Sequence, residues 1–396
     1  MFRPGRTRTT VPAEEEARYE DPIAAAFASV LEHEHRLARE RSEAAGDLAR
    51  LLCGGALKKK NPEVWTWGLC EKLLEESWAL RQSDPAGMLA LAKLAVEGSQ
   101  QLDARLYGRQ YLIDLQTQAW ADLANALRVS DQLGLAEAAI RRAFELRSDG
   151  TGSPLLRARL AELSASLLCD QRQFPAAFRL LDLAHGLYRK HNKQHEAGRV
   201  LIKRGMHTGY TGDPEDAIRW LARGLHLIDR NRDPKLAFQV LHNILWFRVE
   251  LGEFRTARLQ LWEMRPLYWH HADRIAHFKL RWMEGKIFVG LSQFDNAEAA
   301  FSQARESFEG ERLRYDAALV SFDLATLWLM QGKKAEVHRL VTEMLETFRA
   351  RYIAREAIAA LLMLREAVNR DEATVDLFQF VSTLFKSLRD EDSKPE

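Results

Sequence analysis

Gly252-Glu253-Phe254-Arg255-Thr256-Ala257 is answered forty residues on by Ser292-Gln293-Phe294-Asp295-Asn296-Ala297. A small or polar residue, an aromatic two positions later and an alanine three beyond that recur along the chain. The final position falls on Ala136, Ala177, Ala217, Ala257, Ala297 and Val337, in one step of 41 residues and four of 40. A fixed period of this size means stacked helical hairpins, each covering the apolar face of its neighbour. Working outward, Asp131, Arg172, Gly212, Gly252, Ser292 and Gly332 mark tight turns between two helices. Four residues after each anchor stand Ile140, Leu181, Leu221, Leu261, Phe301 and Val341. Seven after stand Ala143, Ala184, Gly224, Met264, Ala304 and Met344. Those offsets place both sets on one face of a second helix. Twelve residues before the anchors stand Ala124, Ala165, Gly205, Leu245, Gly285 and Ala325, five of them small enough for two backbones to approach closely.

This frame resembles the tetratricopeptide repeat, with its small residue in the first helix, its Gly-x-aromatic-x-x-Ala turn and its apolar second helix. The resemblance covers residues 109–350, and more weakly 68–105 and 353–388. It implies an all-α fold, a right-handed superhelical solenoid of antiparallel helix pairs. The unit here is longer than the family's usual one, as in helical-repeat sensor domains of some bacterial transcription factors. It also implies a protein that binds partners along a concave face and does no chemistry.

The expected organisation is a disordered tail (1–19), an N-terminal helical cap of atypical pairs (20–105), six repeats (106–350), a closing pair (351–388) and a charged tail (389–396). Asp21-Pro22 reads as a helix start, and Lys58-Lys59-Lys60-Asn61-Pro62 as a basic loop. Asp213-Pro214, Asp233-Pro234 and Arg265-Pro266 read as punctuation. In the closing pair, Leu377 falls at the anchor position, flanked by Thr374, Val381 and Leu384.

A chain of 396 residues would ordinarily split into two or three domains, but a repeat array need not. The net charge of +1 lacks the basic excess of a dedicated nucleic-acid binder. Cys53, Cys70 and Cys169 have no paired spacing and read as small buried residues in a reducing, cytoplasmic setting. The sequence shows no apolar leader and no stretch long enough to span a membrane.

No phosphate loop, dinucleotide fingerprint or nucleophile elbow is present, and no catalytic, cofactor or metal residue is assigned. Trp269-His270-His271-Ala272-Asp273 with His277 lacks the further ligands that a zinc site needs. It reads instead as a loop whose aromatics cover hairpin ends. The residues that matter are those the first helices present. Helical spacing selects Asn125, Arg128, Arg159, Arg199, Lys203, His242, Trp246, Lys279, Trp282 and Lys286. Within that set, Arg159, Arg199, Lys203, Lys279 and Lys286 form a basic stripe interrupted by two indoles. It suits a protein or peptide partner, including an acidic one held by charge-assisted hydrogen bonds with the indoles as anchors. The plainer alternative is that the cations solvate helix faces and the indoles are core. Two further readings stand beside an interaction scaffold: a single-strand nucleic-acid binder, disfavoured by the balanced charge, and a sensor controlling an associated effector or transcription factor.

Overall fold

Short polar breaks, many of which put one residue into the left-handed region, followed by apolar residues at helical spacing, give alternating helices among the described residues. The computed structural model describes residues 13–53, 64–349 and 355–392. Among these it holds eighteen α-helices and no strand. α1 (Ala13–Cys53) is followed by α2 (Trp67–Ala79), a 3-10 turn (Leu80–Gln82), α3 (Pro85–Gln101) and the short α4 (Ala104–Tyr107). Six couples come next. They are α5 (Arg109–Val129) and α6 (Leu133–Arg147), α7 (Pro154–Asp170) and α8 (Phe174–Lys190), and α9 (Gln194–Tyr210) and α10 (Pro214–Leu227). After them come α11 (Pro234–Glu250) and α12 (Phe254–His271), α13 (Arg274–Gly290) and α14 (Phe294–Gly310), and α15 (Arg314–Met330) and α16 (Lys334–Arg349). α17 (Arg355–Asn369) and α18 (Val375–Asp392) close the chain. The chain forms two compact units, Met1–Leu180 and Leu181–Glu396.

The turn positions behave as their residue types require. Asp131, Arg172, Gly212, Gly252, Ser292 and Gly332 all take φ between 56° and 93°. In each turn the next amide bonds back to a carbonyl five residues earlier, as Glu253 N does to Arg248 O at 3.0 Å, which ends the first helix. Several helix starts, those of α10 and α11 among them, are capped by side chains. Asp213 accepts from Asp216 N at 2.9 Å, and Asp233 from Leu236 N at 3.0 Å, each with proline in the first turn. Arg265-Pro266 is not a break: Pro266 lies inside α12. Buried Leu261, Met264 and Tyr268 on the same helix hold it in place, which offsets the one amide donor that proline removes.

All six anchors are fully buried, and so are the positions four and seven residues beyond them. The small first-helix residues work as spacers. A Cβ on Gly198 would lie 2.8 Å from the Gly224 carbonyl, and one on Gly224 would lie 2.9 Å from that of Gly198, so the backbones of α9 and α10 nearly touch. At Gly285 the space is filled instead by the Phe301 ring.

In the first unit, α1 packs on α2, α2 on α3 and α3 on α5, around Leu69, Leu73, Met88, Ala92 and Ala95. Cys70 and Cys169 are buried, and burial pushes the Cys70 thiol up to about 12, so it stays protonated. The side chain of Cys53 lies outside the described residues. α1 begins at Ala13, inside the stretch read as tail and ahead of Asp21-Pro22. Residues 1–12, the Lys58–Pro62 loop and residues 393–396 also lie outside the described residues.

The closing couple departs from the repeat. α18 packs against α15 as well as α17. Its fully buried residues are Phe378, Val381 and Phe385, while the expected anchor Leu377 is only half-buried and Thr374 caps the helix. There, large rings take the place of a small anchor. Phe385 sits 5.0 Å from Phe322, 5.2 Å from Phe348 and 6.2 Å from Tyr315, ring centre to ring centre. Among the described residues no helix is long and apolar enough to cross a membrane.

Candidate interaction site

In the first unit the basic stripe is neutralised internally. The Arg128 guanidinium donates to Asn125 Oδ1 at 3.1 and 3.2 Å and to Asp170 at 2.7 Å. Arg159 donates to Asp122 at 2.8 Å, lies 3.7 Å from buried Glu162 and stacks 4.2 Å from the Trp78 ring centre. Asn125, Arg128 and Arg159 are thereby fixed between successive first helices.

In the second unit, Arg199 and Lys203 are half-buried one turn apart on α9. The α11 and α13 residues converge. The Trp246 and Trp282 rings meet edge to face, 5.4 Å apart at 76°. Trp282 is buried, and its indole N–H donates to Asp323 of α15 at 2.6 Å. Trp246 is half-buried and donates to Glu250 at 3.0 Å. Lys286 pairs with Asp323 at 2.7 Å, with its ammonium 5.4 Å from the Trp282 ring centre. His242 Nδ1 lies 2.6 Å from the Tyr268 hydroxyl. Burial, reinforced by the Lys279 charge, pushes the His242 pKa down to about 4, so the ring is neutral at pH 7. Burial also raises the Tyr268 pKa, which keeps its hydroxyl protonated. Lys279 makes no ion pair among the described residues.

His242, Trp246, Lys279, Trp282 and Lys286 thus form one cluster over two first helices. Trp282 is core, and Trp246 offers the more accessible indole. Asp323, Tyr268 and Glu250 complete the cluster and were not singled out from sequence. Asp323 stands 37 residues after Lys286 and 41 after Trp282, and that near-repeat spacing is the signal that could have found it. The Trp269-to-His277 stretch corrects one expectation. Trp269 is 83% exposed and lies inside α12 rather than in a loop, whereas Tyr268 is buried beneath the cluster. His277 bonds the Asp273 carbonyl at 2.9 Å, and among the described residues no group of three candidate ligands converges on a metal-sized site.

No protein-family model matches the chain, and no curated protein sequence does. Solved structures match its fold. A Rap protein complexed with Competence and Sporulation Factor is 12% identical over 81% of this chain and 87% of its own, with a TM-score of 0.53. NprR in complex with its cognate peptide NprX is 13% identical over 78% and 87%, with a TM-score of 0.51. A signal transduction ATPase with a tetratricopeptide repeat sensor, from Pyrococcus horikoshii, is 14% identical over 88% of this chain and 54% of its own, with a TM-score of 0.53. The chain is an all-α, tetratricopeptide-like helical-repeat protein.

Proposed function

We propose that this protein is a non-enzymatic regulator that binds a peptide or protein segment on the face presented by its first helices. The observation that carries this reading is the α11–α13 cluster. There Trp246 supplies anchor area, Lys279 supplies a cation with no ion-pair partner among the described residues, and neutral His242 supplies a polar contact. Arg199 and Lys203 on α9 extend the same face. Lys279 receives an acidic side chain of the partner, while Arg128, Arg159 and Lys286 keep the repeats in register through their own carboxylates. Two solved structures with this fold, the Rap protein with Competence and Sporulation Factor and NprR with its cognate peptide, are complexes, which agrees with such a use.

The test is quantitative affinity capture from native lysate, with and without nuclease, using the wild type and the double variant Trp246→Ala, Lys279→Glu. Both substitutions are at half-exposed positions, and the variant's helicity and melting are checked first. We expect a nuclease-resistant protein partner that the variant recovers at least about tenfold less well. Equal recovery by both would overturn the cluster as the binding site. Recovery that depends on nucleic acid would overturn the protein-partner reading.

A further inference from the structure

A second concave site lies on other elements, between the second helices α8 and α10 and over α9. It is a cavity of about 430 Å³. His185 and Arg189 enter from α8, one turn apart, and Arg223 and His226 enter from α10. Leu201 of α9 and Leu227 of α10 form an apolar floor. No carboxylate lines it.

Several observations fix this arrangement. The His185 Nδ1–H is 3.3 Å from the Ala197 carbonyl, which orients the ring and leaves Nε2 as its other nitrogen. Arg223 stacks 4.6 Å from the Trp220 ring centre, with Arg204 on the same ring at 4.3 Å. The nearest acid, Asp182 one turn before His185 on α8, is engaged by Arg204. Burial lowers the His185 pKa, and the charges of Arg189 and Arg223 lower it further, with Asp182 opposing them. Two guanidinium groups and two imidazoles therefore line one recess with no carboxylate among the lining residues, an arrangement that a bound anion complements.

We propose that this cavity binds a small phosphorylated molecule, with its phosphoryl group held by Arg189, Arg223, His185 and His226 and its apolar body against Leu201 and Leu227. Guanidinium forks match the oxygens of a phosphoryl group two at a time. A volume of this size falls in the range of small-molecule sites. Binding draws a proton onto His185, whose Nε2 changes from acceptor to donor. The site is independent of the α11–α13 cluster and stands or falls separately from it.

Isothermal titration of the full chain with phenyl phosphate, inorganic phosphate, sulfate and benzyl alcohol tests the proposal. Phenyl phosphate is expected to bind saturably and more tightly than inorganic phosphate, with no binding of benzyl alcohol. Arg189→Gln and Arg223→Gln, each with unchanged helicity and melting, should each weaken phenyl phosphate by at least about tenfold. Sulfate does not titrate near neutrality, so tightening of its binding from pH 7.5 to 5.5 reports proton uptake by His185, and His185→Gln should blunt it. Absence of saturable binding by any of the anions would overturn the site, as would affinities unchanged in both arginine variants. Equal affinity for phenyl phosphate and inorganic phosphate would overturn the assignment to a molecule with an apolar body.

Discussion

Asp131, Arg172 and Ser292 occupy the same left-handed turn position as Gly212, Gly252 and Gly332. Side chains in that region meet the following carbonyl, at about 1 kcal/mol. Gly252→Ala, at φ 75°, is therefore expected to destabilise the protein by about 1 kcal/mol. Arg172→Gly, at φ 60°, should stabilise it by a few tenths to about 1 kcal/mol, since strain relief outweighs the added freedom of the unfolded chain. Chemical denaturation reads both. His242 gives a pH signature of its own. Its imidazole titrates near 6.5 when unfolded and near 4 when folded. As pH falls, the unfolded chain takes up the proton first. The stability from neutral His242 is thus complete above about pH 6.5 and is lost progressively down to about pH 4. His242→Gln should show a shallower loss between pH 7 and pH 5, and an identical slope would mean that the ring is not held neutral.

Between elements, one spacing recurs. Asp122–Arg159, Lys286–Asp323, Arg274–Glu311 and Lys334–Asp371 are ion pairs, and Asp114–Thr151 a hydrogen bond, all across 37 residues. That is one 40-residue repeat less about one helical turn, which in Asp122–Arg159 and Lys286–Asp323 is the stagger of neighbouring first helices lying side by side. Asp122→Ala removes the 2.8 Å hydrogen bond from Arg159 while Glu162 and Trp78 stay in contact with it, and we expect a loss of about 1 kcal/mol in unfolding free energy. A change below about 0.5 kcal/mol would mean that the pair is solvated. The couples were legible because every anchor from Ala136 to Val337 sits on a local pattern of turn, small residue and apolar stripe. Which cations remain available was not, because Arg128, Arg159 and Lys286 find their carboxylates on a different helix. The stagger that decides those pairings is a tertiary property. The burial of Trp282 was hidden for the same reason, since its N–H is satisfied by Asp323 a repeat away. The closing couple escaped because α18 packs on α15, which substitutes Phe378 and Phe385 for a small anchor.

At the scale of the whole chain, 57 lysines and arginines stand against 56 acids. The balance argues for a role carried by local arrangement rather than by a broad charged field. In the first unit the stripe is spent on holding repeats together. In the second, the proposed partner site rests on Lys279 and Trp246, while Arg189 and Arg223 with two imidazoles line a separate cavity between α8 and α10. Partner binding that uses Lys279 should weaken with salt, as exposed charge pairs do. Amide hydrogen exchange of the full chain, with and without its captured partner, tests the central claim most directly. We expect new protection concentrated in α11 and α13, in the peptides that carry His242–Glu250 and Lys279–Lys286. Protection confined to the second helices, with α11 and α13 unchanged, would contradict it.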